Sequence, residues 1–357
     1  MSKIEEALAR VEAIPAYRPG RASPGATAGK LSSNEAPLGA APAVRAAIAA
    51  IAGQVHRYPE QAESHQRLAA HLGVPRDQLL LTNGSDELSH LIATLFLRPG
   101  AVAVLGDPGY AIDAAVSRVA GATLRQVPLT GGGHDLAAMA RAARDAAVVW
   151  LPSPHNPTGA LADKAELGRF LTNIPADCML VLDEAYRAYA DPELLPDVLA
   201  LLAGHRNLLI QRTLSKDWAL AGLRVGYAIG AEAVIEALAR IRAPFSVNSA
   251  ALAATSAALD SPGWHEMSVA RVRQERSRLE AELAELGIPY YPSQANFVTV
   301  RLAHRAIAAA LREAGLTVRA GEDLGLPGWV RISVGWAPQM AILRDVLRGL
   351  GERREAG

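Results

Sequence analysis

Lys216 stands in TLSKDWALAGLRVGY (213–227), where an apolar run ends in two hydroxyls and a lysine, with an arginine further on. A lysine amine can form a Schiff base with an aldehyde cofactor. Thr213, Ser215 and Arg224 can hold a phosphate through hydrogen bonds and charge. The chain has four lysines, Lys3, Lys30, Lys164 and Lys216, so amine chemistry has few candidates. A loop lysine taken alone is a solvated surface group, and only its neighbours give Lys216 a chemical reading.

Four other segments carry suitable groups. In MLVLDEAY (179–186) an apolar strand ends in Asp183, at the sheet edge where open α/β folds bind ligands. A carboxylate there can keep a pyridine nitrogen protonated, so that the ring serves as an electron sink. Tyr186 follows, suited to hydrogen-bond a phenolic oxygen. LLLTNGSDELSHLI (79–92) reads as strand, glycine turn and helix, and Ser85 and Asp86 fall where helix amides bind phosphate. An ordinary N-cap with Glu87 in the first turn explains the same pattern. In WLPSPHNPTGA (150–160), Asn156 lies in a loop after a strand, held by Pro157 and Gly159, while His155 reads as a loop residue without a partner. Tyr110 in GDPGYAID also follows a strand and suits stacking on a ring or packing.

The elements that must position these groups are legible in the hydrophobic rhythm. LLLT (79–82), AVAVLG (101–106), TLRQVPL (123–129), AVVWLP (147–152), MLVLDEA (179–185), NLLIQRT (207–213) and VGYAIG (225–230) alternate with helical patterns. That alternation predicts an α/β fold, a three-layer α/β/α domain over residues 41–245 with a mainly parallel sheet. Residues 3–13 read as a short amphipathic helix and 15–40 as an extended arm. After 245 a charged helix over 263–286, strands near 297–301 and 329–334, and a final helix predict a small α+β domain completed by residues 1–40. Interleaved glutamates in RVRQERSRLEAELAEL point to a solvated helix face rather than a nucleic-acid contact.

Composition narrows the function classes. Of 357 residues half are hydrophobic and a fifth charged, with zero formal net charge, which suits a globular chain with a large core. Nothing in that balance draws the molecule to nucleic acid or anionic lipid. Cys178 is the only cysteine, so an internal disulfide and a cysteine-rich metal site are excluded, and its apolar neighbours predict a buried side chain. No apolar run reaches the ~18 residues of a membrane span. The N-terminus lacks the apolar core of a signal peptide, so the expected location is cytoplasmic.

Together these segments resemble fold type I, class I/II aminotransferases, and specifically histidinol-phosphate aminotransferases. The resemblance rests on PAYRPG (15–20), LSSNEAPLG (31–39), HRYPE (56–60), NGSDE (83–87), Tyr110, HNPTG (155–159), DEAY (183–186), TLSK with AGLRVGY (213–227), ANFV (295–298) and VRISVG (330–335). It implies pyridoxal 5′-phosphate as cofactor, held as a Schiff base by Lys216, which also moves the proton at the substrate α-carbon. It further implies that Asp183 pairs with the ring nitrogen, Tyr186 and Asn156 bind the phenolic oxygen, and Tyr110 stacks on the ring. Ser85, Asp86, Thr213, Ser215 and Arg224 then hold the phosphate, joined by Tyr58 from the partner subunit of a homodimer with shared active sites. Arg331 is implied as the clamp for a substrate carboxylate, and Arg319 and Tyr17 as contacts to the distal group.

The implied reaction exchanges L-histidinol phosphate and 2-oxoglutarate for imidazole-acetol phosphate and glutamate. Aromatic amino-acid transamination and threonine-phosphate decarboxylation use the same scaffold. A regulator that binds the cofactor would need a DNA-binding domain ahead of the fold, where this chain has only a short arm. The sequence departs from the family at His155, Ala320, Asp217, Trp218 and Ala114, where relatives often carry asparagine, an acid, a small residue, an aromatic and a second aromatic.

Overall fold

The computed structural model describes residues 2–12, 14, 29–302 and 304–355. The larger sheet has seven strands: β2 (Leu79–Thr82), β3 (Val102–Asp107), β4 (Thr123–Pro128), β5 (Val148–Pro152), β6 (Met179–Asp183), β7 (Leu208–Thr213) and β8 (Gly226–Gly230). Their order is β2-β8-β7-β6-β5-β3-β4, and β8 alone runs against its neighbours. The smaller sheet has five, in the order β1-β11-β12-β10-β9: β1 (Gly29–Leu31), β9 (Tyr290–Tyr291), β10 (Phe297–Val300), β11 (Leu316–Ala320) and β12 (Val330–Ser333).

The apolar runs are continuous because both faces of the larger sheet are covered. Successive residues point to opposite faces. Leu79, Leu81, Val149, Leu151, Leu180 and Leu182 join one core cluster, whereas Leu80, Val148, Trp150, Met179, Val181 and Leu209 join the other. Each fully buried side chain of this kind contributes about 2 kcal/mol. Helices α1 (Lys3–Glu12), α2 (Pro42–Ile51), α3 (Ala62–Leu72), α4 (Gly84–Phe96) and α5 (Ala111–Val119) precede β4. The helix Ser249–Leu259 packs on α2 and α3, so Val247–Ala258 share the larger core beyond the boundary at 245 that the change of pattern suggests. Cys178 is buried in that core, and desolvation pushes its thiol up to about 12.

Strands β9 and β11 lie outside the two small-domain strands expected from sequence. A third extra strand, β1, pairs in parallel with β11, so the arm enters the smaller sheet at residue 29. The charged helix, Pro262–Glu285, corrects the expectation of a merely solvated face. Glu275, Arg276 and Glu282 are buried. Arg276 Nη1 donates to the carbonyls of Tyr189 (3.0 Å) and Ala295 (2.8 Å), and Arg273 Nη2 donates to those of Ala188 and Ala190. These bonds fix the turn after DEAY, and their partners lie too far along the chain for sequence spacing to show them.

Candidate active site

Strand direction explains why the candidate residues meet. Strands β2 to β7 end at one edge of the larger sheet, and antiparallel β8 begins there. That edge therefore collects Ser85 and Asp86 after β2, Tyr110 after β3, Asn156 after β5, Asp183 on β6, Lys216 after β7 and Arg224 before β8. The smaller sheet closes the opening. On β12, Val330 and Ile332 enter its core while Arg331 and Ser333 face the other way; β10 does the same with Val298 and Val300 against Phe297 and Thr299. Arg319 and Arg331 are cross-strand partners on β11 and β12.

The result is a cavity of about 910 Å³ lined by Ser85, Asp86, Tyr110, Asn156, Asp183 and Tyr186, and also by Thr213, Ser215, Lys216, Arg224, Arg319 and Arg331. Tyr58 is not on this wall: it is 79% exposed and stacks on Phe245, with ring centroids 4.5 Å apart. Tyr17 lies outside the described residues.

At the floor, Asp183 Oδ1 accepts from the Ala185 amide (2.9 Å) and Oδ2 from Gln211 Nε2 (3.2 Å). Desolvation is the main force on this carboxyl, and with Asp86 and Glu184 nearby it pushes the group up to about 6 against those hydrogen bonds. A cation placed beside it would restore the charged form, because opposite charges attract strongly away from water. Behind it, buried Glu184 is held by Arg187 (2.8 Å) and Arg212 (2.8 Å).

Tyr186 OH accepts from Asn34 Nδ2 (3.0 Å), which leaves its own proton to donate. Asn156 Oδ1 accepts from Arg331 Nη1 (2.7 Å), so the Asn156 amide hydrogens remain available. Arg331 Nη2 also donates to Ser32 O (2.9 Å), and the guanidinium lies over the Phe297 ring at 5.3 Å. Lys216 Nζ sits 5.6 Å from the Tyr186 ring centroid and donates to Ser33 O at 3.4 Å. Ser32, Ser33 and Asn34 are site residues that the motif LSSNEAPLG contains without revealing a role; Asn34 adopts a positive φ of 55°.

An anion cradle lies at one end. Asn83 caps helix α4 without a side-chain bond, which leaves the amides of the first turn open to an anion, while Glu87 Oε2 accepts from the Asn83 amide as the ordinary-cap reading expects. A Cβ on Gly226 would come within 2.5 Å of the Ser85 nitrogen, so only glycine lets β8 approach the turn this closely. Arg224 Nη2 donates to Asp86 Oδ2 (3.0 Å), and Tyr110 OH donates to Asp86 Oδ1 (3.0 Å). The Thr213 hydroxyl lies 2.9 Å from Ser215 Oγ and accepts from the Ser215 amide at 3.1 Å. Open amides, two hydroxyls and a guanidinium beside a lysine and a deep carboxyl are the donor set that pyridoxal phosphate needs.

Asp217 and Trp218 turn away from the cavity. Asp217 Oδ2 is 2.9 Å from His265 Nε2, and Trp218 stacks on the His265 ring at 4.0 Å, which anchors the Lys216 loop from behind. His155 is fully buried rather than a free loop residue. Thr158 donates its proton to Gly132 O (2.7 Å), so His155 Nδ1 donates to Thr158 Oγ1 (2.8 Å). His134 packs edge-on at 4.6 Å and bonds Pro152 O at 3.1 Å. Together these two rings support the Asn156 turn.

Burial lowers both histidines, His134 to about 4. The unfolded chain, at about 6.5, then binds more protons, so this contribution is present above pH 6.5 and is lost as pH falls below it. Asp183, raised in the fold, acts in the opposite sense. Comparing wild type with His134→Gln isolates the histidine. Between pH 7.5 and 5 their difference in unfolding free energy is expected to shift by about 2 kcal/mol in favour of the variant. Parallel curves in urea titrations would contradict it.

Among the described residues no helix is long and apolar enough to cross a membrane, and no three His, Cys, Asp or Glu side chains are grouped to hold a metal. The profile of the family "Aminotransferase class I and II" matches residues 28–347. The chain is 38% identical to histidinol-phosphate aminotransferase 1 of Dechloromonas aromatica, over 97% of this chain and 99% of that protein. It is 41% identical to histidinol-phosphate aminotransferase 2 of Pseudomonas fluorescens, over 87% and 85%. The crystal structure of histidinol-phosphate aminotransferase from Sinorhizobium meliloti in complex with pyridoxal-5′-phosphate superposes with a TM-score of 0.83 at 30% identity, covering 90% of this chain and 91% of that one.

Proposed function

This chain belongs to the class I and II aminotransferase family, and from that premise we propose that it moves the amino group of L-histidinol phosphate to 2-oxoglutarate, using pyridoxal 5′-phosphate. The products are imidazole-acetol phosphate and L-glutamate. The observation that carries the reading is the meeting, at one sheet edge, of Lys216, Asp183 and an open anion cradle beneath the arginine pair Arg319 and Arg331.

When bound, the cofactor supplies an electrophilic aldehyde and a ring that accepts the electron pair freed at an amino acid's α-carbon. The chain's residues supply the rest. Lys216 holds the cofactor through its amine and moves the proton at the donor's α-carbon. Asp183 keeps a proton on the ring nitrogen. Tyr186 and Asn156 donate to the phenolic oxygen, the Tyr186 hydroxyl while it accepts from Asn34 and the Asn156 amide while its Oδ1 accepts from Arg331. Tyr110 covers the ring while its hydroxyl stays on Asp86. The first amides of α4 at Ser85 and Asp86, with Thr213, Ser215 and Arg224, hold the phosphate. Arg331 receives the carboxylate of the oxo acid, and Arg319 with Tyr17 the distal group. Donor and oxo acid use the same cavity in turn, so the kinetics are ping-pong.

The second subunit supplies Tyr58. Its exposed ring stacks on exposed Phe245, an apolar pair that suits an interface between two copies. Sedimentation equilibrium is expected to give a dimer, and Tyr58→Ala to weaken cofactor retention about tenfold, the loss of one hydrogen bond to a charged group. A monomer that retains cofactor fully would contradict the shared site. The two-domain division is proposed with its second seam moved past Leu259, because Val247–Ala258 pack with the larger core.

The reaction itself is tested by glutamate formation from 2-oxoglutarate that depends on L-histidinol phosphate. Carbon dioxide release without an oxo acid, or turnover confined to aromatic amino acids, would overturn the substrate assignment and keep the family.

A further inference from the structure

Helix α5 presents Ala111, Ala114 and Arg118 at the spacing of one helical face, and all three line the cavity. The two alanines are short, so the wall between Tyr110 and the Arg118 side chain carries no bulky group. The neighbouring wall comes from β3 and β4, where Gln126 Nε2 donates to Asp107 Oδ1 at 3.1 Å, both residues also lining the cavity. Residues 322–325 close the far side, and Asp323 Oδ2 lies 3.6 Å from Arg319 Nε. Arg319 thus has a carboxylate neighbour. Arg118, among the described residues, has no side-chain hydrogen bond or ion pair.

We infer that Arg118 is a specificity-determining residue that receives the distal anionic group of the amino donor in company with Arg319. The inference rests on the aminotransferase reading above and names a side chain that selects charge at the far end of the substrate. A guanidinium offers a planar fork of donors that matches phosphate or carboxylate oxygens. Gln126, held by Asp107 in the adjacent wall, adds polar surface and no charge of its own. Arg118 is half-buried on the cavity wall, so solvent reaches it and its pull on an anion weakens as salt rises. A competing account makes it only a cation in the last turn of α5, favourable to the helix dipole. That role would show in stability and not in discrimination between substrates.

The test compares the holoenzyme with Arg118→Ala and Arg118→Lys, using L-histidinol phosphate and L-histidinol as donors. Arg118→Ala is expected to lower kcat/KM for the phosphorylated donor about tenfold, carried by KM, with less than about a threefold change for L-histidinol. Arg118→Lys should recover part of the loss, and the loss should shrink at high ionic strength. Equal losses on both donors, or an unchanged KM for the phosphorylated donor, would overturn the inference. Wild-type enzyme that ignores L-histidinol phosphate would overturn the substrate reading instead. Competitive inhibition by inorganic phosphate, expected to weaken about tenfold in Arg118→Ala, then still decides the role of Arg118.

Discussion

Lys216→Ala is expected to cut turnover by at least about 10⁴-fold while the protein remains folded. Two functions leave with the amine: the covalent hold on the cofactor and proton transfer at the α-carbon, the latter alone worth about 10²–10⁴-fold. The side chain is well placed for both, above the Tyr186 ring and within reach of Ser33 O. No other described lysine lines the cavity, so none can stand in. Steady-state glutamate formation gives the rate, and circular dichroism checks the fold. An alanine variant with even a tenth of wild-type activity would remove Lys216 from the mechanism.

Asp183→Asn should be the second most damaging change, lowering kcat by about 10²–10³-fold. The substitution keeps the shape and the Ala185 contact and removes the charge. Losing one member of a buried opposite-charge pair costs about 3–5 kcal/mol, and each 1.4 kcal/mol of barrier is tenfold. The pocket accentuates this, because desolvation already holds the Asp183 carboxyl at about 6 without a cationic neighbour. Titrating the absorbance of bound cofactor should show its ring nitrogen releasing its proton at a lower pH in the variant. An unaltered titration with normal kcat would mean that Asp183 serves the fold alone.

How much of this is legible in the sequence depends on how local each signal is. Asp183 can be read because an apolar run ends on it, and Ser85 because a strand, a glycine and a helix follow one another directly. The larger sheet can be read for the same reason, its two cores being filled by alternate residues of single runs. The pairing of Arg319 with Arg331 cannot. It depends on LTVRA forming a strand beside VRIS, and five residues with one charge carry little periodicity. Arg276 reads as solvent-facing because its acceptors are backbone carbonyls at Tyr189 and Ala295, which have no sequence signature. His155 is hidden likewise: Thr158 is close in sequence, but its second support, His134, comes from another turn. Tyr58 shows a further limit, since its expected partner lies on another copy of the chain.

The hydrogen bonds that join the two ends of the chain have a consequence for how the enzyme is made. Arg331 reaches Ser32 O and Ser333 reaches Asn34, each across 299 residues, and Asn34 in turn orients Tyr186. The loop that these contacts close spans the whole larger sheet, and contacts of such separation form late and slowly. A chain still emerging from the ribosome can complete most of its larger sheet yet lack the residues after 330 that finish the cavity. Competence to bind substrate is therefore gained only once the strand carrying Arg331 and Ser333 has docked against Ser32 and Asn34.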